Sequence, residues 1–597
     1  MSAPAIGIDD AVADLATGHG TVSALAGLTR GMLTVRLILL RTLIAEITAR
    51  QPEIDEAAGL SDAYEALTEL QQSHPAAVEA LLAYPHTGVW LSRVLYRVRI
   101  TSDDKESTPL WADCGYLGWL AAAGAVANLP CGSMRVVVRN GEVMLPGFGM
   151  ARVGSVDYCG HCEVHWGDGT VRFATEGADP VRVSSAADES DPAWLPLRRA
   201  HGGESEPEVI IDDLDPFRDL HSASPPRLTS DEAEVWRRDF VNAWQLLRRD
   251  FPDYLRPMRN CLQMLAPLTA RPVAASTSGT AFNGVGCVYT TAPVDSCVLA
   301  MSLIHEIQHT KLALLTDQVL LFEPDPTCRF YAPWRDDPRP IWGLMHGIYA
   351  FFGVTDFWRV HRHADCHRRM QDHIEFERWR MQMGDAMAQA SGSGLLTEIG
   401  EQFMHTLAAS ARPWAEEDVP ERARQTASEI ATAHRTFWQV RNHRLNATDL
   451  AEPAARWSTR VARPAILASG QDVDQQTIPV HHRQLHLSAQ LKLRDPAAAQ
   501  TIAIADQPRG DRAYLSGEWS EAVNLYALEL RTDPLRPQLW AGLALALPKL
   551  YSEDDFGILN ERAEVAAGLY QRLLADDAEA DVVELVRWLS DAPHADG

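Results

Sequence analysis

Lysine is almost missing. The 597-residue chain has it at 105, 311, 492 and 549 only, and arginine carries the rest of the positive charge. That usage reads as coding bias and carries no functional message. Positive charge is also short overall: 54 Lys and Arg stand against 80 Asp and Glu, a net charge of −26. A chain whose main task is neutralising phosphates or anionic lipid is excluded, so neither nucleic acid nor membrane is expected as a partner. Long apolar runs are absent. Residues 117–130 form the longest, too short and too rich in Ala and Gly to span a bilayer. The start, MSAPAIGIDDAVADL, has no basic segment followed by an apolar one, so no secretory signal is expected and the location predicted is cytoplasmic. Cysteine is sparse, odd in number at nine, and scattered, which excludes a disulfide framework. No Cys-x₃-Cys-x₂-Cys run, Walker loop, GxSxG elbow or strand-linked GxGxxG occurs.

What remains is ordinary globular composition, 46% hydrophobic and 22% charged. Residues 10–85 read as helical, with Arg30, Arg36 and Arg41 spaced along a dense apolar run. Residues 130–215 change period. Met134–Leu145 reads as two strands joined by Asn140-Gly141, and Val164–Phe173 as a second hairpin turning at Gly167-Asp168-Gly169. Val209-Ile210-Ile211 is expected to close that small sheet. A Thr229 or Ser230 cap opens a helix expected to reach about Leu268, broken near Pro252. Ala274–Ala292 is β-like, and helices follow at about Asp295–Leu321 and from Trp342. Ala513–Ala544 resembles one tetratricopeptide repeat running into the next.

The expected fold class is α+β, predominantly helical. The expected organisation is 1–85 N-terminal helical, 86–215 β-rich hairpins, 216–400 catalytic, 401–504 helical with a linker, and 505–597 tetratricopeptide-like helices.

The string that carries chemistry is Ile304-His305-Glu306-Ile307-Gln308-His309. His-Glu-x-x-His on a helix puts two imidazoles on one face, both in reach of one metal ion, with a carboxylate beside them. A third protein ligand is needed for zinc or iron alike. Leu312 and Leu315 stand where a metzincin needs Gly and His, and Glu323 lies in a Pro-rich loop unsuited to a gluzincin. The best candidate is His346, flanked by Gly343 and Gly347, whose lack of a side chain admits another backbone. Asp356 and Glu323 are weaker alternatives. Two further clusters have plainer readings. Cys159, His161, Cys162 and His165 lack a second knuckle for zinc and read as reduced thiols in a hairpin loop. His361, His363, His367 and His373, with Arg359, Arg362, Arg368 and Arg369, read as a solvated basic helix.

Three blocks together closely resemble the HExxH-motif peptide-modification family: Ile304–Leu312, Tyr331–Pro340 and His346–Trp358. The resemblance extends upstream through Asp212-Asp213-Leu214-Asp215-Pro216-Phe217-Arg218 and the Trp236 helix, and covers about residues 20–400. Members of that family sit in gene clusters for ribosomally made, modified peptides and are described as 2-oxoglutarate-dependent peptide β-hydroxylases. The resemblance implies Fe(II), 2-oxoglutarate and O₂ as cofactors and a ribosomal precursor peptide as substrate. A radical-SAM maturase would act in trans. Such an oxygenase needs three protein ligands and three open positions. The far carboxylate of the cosubstrate calls for a bidentate arginine, for which Arg335 and Arg339 are the candidates, Arg335 first. An ion pair of Arg335 with Asp336 or Asp337 is the plain alternative. In the hydroxylase Glu306 orients a ligand or a water. In a zinc peptidase trimming the precursor the same Glu306 is the general base. A third reading is a non-catalytic peptide-binding maturation factor. The motif alone serves all three.

Overall fold

The structure is a computed structural model that describes residues 7–100, 108–155, 158–184, 191–204, 206–218, 225–269, 278–364, 369–464, 470–478, 487–488, 491, 507–576 and 580–591. The chain divides into two compact units, Met1–Leu320 and Leu321–Gly597. That boundary falls inside the predicted 216–400 segment. The α+β, mostly helical class is as expected. No helix of the described residues is long and apolar enough to cross a membrane.

The first unit opens with helices up to Tyr116–Asn128, so residues 86–128, counted with the hairpins from sequence, are largely helical. Its longest helix, Val22–Arg50, is capped by Thr21, whose hydroxyl accepts the Ala24 N–H. Leu25, Leu28, Met32, Leu40, Leu43 and Ile47 recur at three- and four-residue spacing and are buried. Arg36 lies on the same buried stripe. Its guanidinium donates to the carbonyls of Leu82, Tyr84 and Asn283, so three acceptors from two segments satisfy it.

Twelve strands follow in chain order: β1 (Gly132–Val138), β2 (Glu142–Leu145), β3 (Gly149–Arg152), β4 (Gly160–Gly167), β5 (Thr170–Ala174), β6 (Val181–Val183), β7 (Trp194–Pro196), β8 (Arg198–His201), β9 (Glu208–Ile211), β10 (Met264–Pro267), β11 (Ser278–Gly279) and β12 (Cys287–Thr290). They form three sheets, β1-β4-β5-β6, β2-β3-β7 and β11-β12-β10-β9-β8. The Asn140-Gly141 turn is present, with φ of 54° and 81° as a two-residue turn requires. The strands it joins do not form the expected hairpin. They share one bridge, Arg139 to Glu142; β1 then pairs with β4, and β2 with β3. The second hairpin, β4–β5 through Asp168-Gly169, is as expected.

Val209–Ile211 lies in β9, but it pairs with β8 and with β10, not with the hairpins. β9, β10 and β12 run parallel, and the outer strands β8 and β11 run antiparallel to them. β10 also corrects the helix predicted to reach Leu268. The Ser230–Asp250 helix opens with a full capping box between Thr229 and Glu232, the chain continues as Pro252–Cys261, and the helix ends there. Met264–Pro267 is buried at every position and fills the middle of the sheet, a place for a short apolar run.

The second unit is mostly helical, with one short antiparallel pair of His443–Arg444 and Gln471–Asp472, and the helix predicted from Trp342 spans Ile341–His361. The supposed basic helix is two helix ends, Ile341–His361 and Arg369–Ser391; His363 and Arg369 are exposed as expected, but His361 and Arg362 are not. His361 is buried against Asp372, 3.1 Å away. Arg362 is buried over the Phe376 ring and pairs with Glu417. His367 and Arg368 lie outside the described residues, as does most of the predicted linker before 504. At the C-terminal end, helices Arg509–Leu515, Trp519–Leu530 and Pro537–Ala546 occupy the segment with the repeat-like pattern. The Tyr526 ring is seated against Gly510 and Gly542, where an added Cβ would come within 2.5 and 2.2 Å of it.

Tyr526 donates to Asp511, which is buried and has its carboxyl pushed up to about 7 by desolvation. A folded-state pKa above the unfolded one adds stability below the unfolded value and loses it as pH rises through the folded value. The second unit should therefore weaken as pH rises from near 4 to near 7. Asp511→Asn keeps an acceptor for Tyr526 and should gain about 1–4 kcal/mol at pH 8 and much less at pH 5. Melting temperatures of both forms at the two pH values check this, and an equal difference at both contradicts it.

Candidate metal centre

The HExxH sequence lies on the Ser296–Thr316 helix, which Asp295 caps by accepting the Val298 N–H. From Leu299 to Leu315 every residue is buried except Met301, His305 and His309, which stand at i, i+4 and i+8. The two histidines thus lie on the one open stripe of an otherwise enclosed helix. The helix is also tied to the N-terminal segment. Gln308 donates to the Gly18 carbonyl, and the buried Lys311 ammonium donates to the His19 carbonyl at 2.6 Å.

His305 Nε2 and His309 Nε2 are 3.2 Å apart. Two metal–nitrogen bonds of about 2.0–2.1 Å meeting at 90–110° put their nitrogens about 2.8–3.4 Å apart. The rings therefore already hold the bite of one metal ion. Burial pushes both pKa values down to about 4, with His305 adding to the effect at His309. Both imidazoles are then neutral near pH 7 with a lone pair to give.

Glu306 is fully buried. Thr280, just past β11, donates to its Oε2 at 2.6 Å. Its Oε1 has no hydrogen-bond partner among the described residues and lies 3.8 Å from His305 Nε2. Burial raises the Glu306 pKa, against the pull of His309, Ser278 and Thr280. Sequence reasoning did not find Thr280. A threonine in a Gly- and Ser-rich stretch carries no signal of its own; only the pairing of β11 with β12 brings it beside Glu306. The donor set, two neutral imidazoles at bite distance and a buried carboxylate with one oxygen unused, fits a divalent transition metal.

The other residues predicted for this centre belong to the second unit. His346 is buried on the Ile341–His361 helix, with Trp342 one turn before it. The glycines beside it do not admit a backbone, as expected from sequence, but side chains of the preceding block. A Cβ at Gly347 would lie 2.1 Å from the Trp334 indole, and one at Gly343 would lie 2.9 Å from Arg339 Nε. Trp334 stacks on Phe351 at 4.7 Å. Arg335 places Nε and Nη2 on Asp337 Oδ1, at 3.0 and 2.9 Å, and Arg339 reaches Asp337 Oδ2 at 3.5 Å. Of the two, Arg339 has the looser hold on Asp337 and also lies over the Trp342 ring. Asp356 accepts from Arg359, and Glu323 is exposed. Cys162 points into the core with its thiol pushed up to about 12 by burial, while His161 and His165 lie on the opposite face of β4. That alternation gives these residues no common metal site.

No protein-family model matches the chain, and no curated protein matches it.

Proposed function

We propose that the protein is an Fe(II)- and 2-oxoglutarate-dependent hydroxylase acting on a side chain of a ribosomally made precursor peptide. The observation that carries the metal is the His305–His309 pair, 3.2 Å apart on the open stripe of a buried helix. The preference for the hydroxylase rests on the resemblance of the three sequence blocks. His305 and His309 hold the metal. The resemblance of the sequence blocks adds His346 as the third ligand, and Arg335 or Arg339 as the partner of the cosubstrate's far carboxylate. When bound, iron and 2-oxoglutarate supply the oxidising power that converts C–H to C–OH, with the cosubstrate leaving as succinate and CO₂. Glu306, anchored by Thr280, keeps its second oxygen toward His305 and holds a water or ligand in place. A maturase partner would act in trans.

One observation favours a second reading, a zinc peptidase. A buried Glu with a raised pKa and an unused oxygen beside the metal pair is suited to take a proton from an attacking water. Glu306→Gln separates the two. The hydroxylase reading expects O₂-dependent formation of succinate from 2-oxoglutarate, reduced by about tenfold or less in the variant. The peptidase reading expects no succinate, and cleavage of unstructured peptides that falls about a thousandfold.

A further inference from the structure

A second cluster of metal-capable side chains lies inside the first unit, away from the HExxH helix in sequence. His86 is at the start of the Pro85–Arg99 helix, and Asp212 and Asp215 follow β9. One ligand atom from each lies within 4.8 Å of the other two, and all three residues have no exposed surface.

Each carboxylate takes backbone N–H groups on one oxygen and a tyrosine hydroxyl on the other. Asp212 Oδ1 accepts the N–H groups of Leu214 and Asp215, and Asp215 Oδ1 accepts that of Phe217. Tyr84 donates to Asp212 Oδ2 at 3.4 Å, and Tyr116 to Asp215 Oδ2 at 2.8 Å. No arginine or lysine bonds either carboxylate among the described residues. Arg218, close by, spends its guanidinium on the carbonyls of Asp215 and Pro225. Two carboxylates with no exposed surface therefore face one imidazole. Two ionised carboxylates outnumber that one imidazole, an expensive arrangement in a dry interior.

The imidazole sits at ion-pair distance from one of the two carboxylates. His86 Nε2 is 3.1 Å from Asp212 Oδ2, and its Nδ1 has no hydrogen-bond partner among the described residues. A separation of 3.1 Å is that of two ligands on one ion with bonds of about 2.1 Å. A neutral imidazole, two carboxylates and a divalent cation sum to zero charge.

We propose that His86, Asp212 and Asp215 bind a divalent first-row transition metal ion in a closed, structural site. A mixed nitrogen and oxygen set suits zinc, manganese or iron better than calcium or magnesium. Full burial leaves no room for a substrate. The ion ties the Pro85–Arg99 helix to the exit of β9, within the sheet whose strands β11 and β12 precede the HExxH helix. This site stands independently of the hydroxylase reading.

The test uses the full chain and the double variant His305→Ala/His309→Ala, which removes the other candidate site. Metal content is measured after desalting against a weak chelator. Melting temperature is measured after a strong chelator and again after adding zinc, manganese or iron. The double variant is expected to retain about one ion per chain, and its melting temperature to rise by about 5 °C or more when metal is restored. Asp215→Asn, which keeps an acceptor for Tyr116, is expected to lose that ion. Should it fail to fold, the double variant still decides. A double variant that holds no ion and does not respond to any of the three metals overturns the proposal, as does a folded Asp215→Asn that keeps the ion. If the wild type holds one ion and the double variant loses it, this site falls and the HExxH site stands. If the double variant keeps that ion, the HExxH reading falls instead.

Discussion

Replacing His309 by alanine is expected to remove the metal from the HExxH helix and about a thousandfold or more of the activity, equivalent to ~4 kcal/mol of transition-state stabilisation. The argument starts from the 3.2 Å separation of the two Nε2 atoms. One imidazole alone has no chelate partner on the helix, because Glu306 is turned into the protein and bonded to Thr280. The fold should be little affected. His309 lies on the open stripe, and truncating a neutral side chain there breaks no buried ion pair. The expected signature is loss of one equivalent of metal with an unchanged far-ultraviolet circular dichroism spectrum. Retention of the metal, or of more than a tenth of the turnover, contradicts the assignment.

Asp113→Ala should be the most damaging single change to the first unit, by about 3–5 kcal/mol. The carboxylate is fully buried and takes Arg97 on one oxygen and Arg139 on the other. Arg97 is itself nearly inaccessible and also donates to the Thr108 carbonyl. Removing the carboxylate strands two guanidinium charges where water cannot replace it. The measurement is the urea midpoint of the transition reported by the buried Trp90, whose indole N–H donates to the Asp113 carbonyl. A change below about 1 kcal/mol would mean that the pair is worth no more than a surface one.

Local signals explain which parts of the fold could be read from sequence. Thr229 with Glu232 announces a capping box, Asp295 caps the metal-site helix, and Asn140-Gly141 marks a tight turn. Each is decided within a few residues. What Asn140-Gly141 could not reveal is that β1 and β2 leave for different sheets, because strand pairing depends on partners far along the chain. The same holds for Arg362, which looks solvated beside its histidines until Glu417 arrives from another helix. Met264–Pro267 was absorbed into a helix because a short apolar run fits either period.

At the candidate site, the histidine spacing was legible because i and i+4 share a helix face. Thr280, which anchors Glu306, was not. Nor was the use of Gly343 and Gly347 to seat Arg339 and Trp334, which ties the Tyr331–Pro340 block to the His346 helix. The cluster of His86 with Asp212 and Asp215 was hidden for the same reason. The sequence shows an Asp-Asp-x-Asp run after an apolar strand, an unusual place for carboxylates, but nothing local points to His86.

The central claim is that the HExxH helix presents an open iron site to 2-oxoglutarate. Its most direct test needs no peptide: purify the protein without air, add Fe(II), then 2-oxoglutarate, and record the visible spectrum. A metal-to-ligand charge-transfer band in the wild type that is absent in His309→Ala is the predicted result. No band, with zinc bound tightly by the isolated protein and lost in His309→Ala, would contradict it and leave the peptidase.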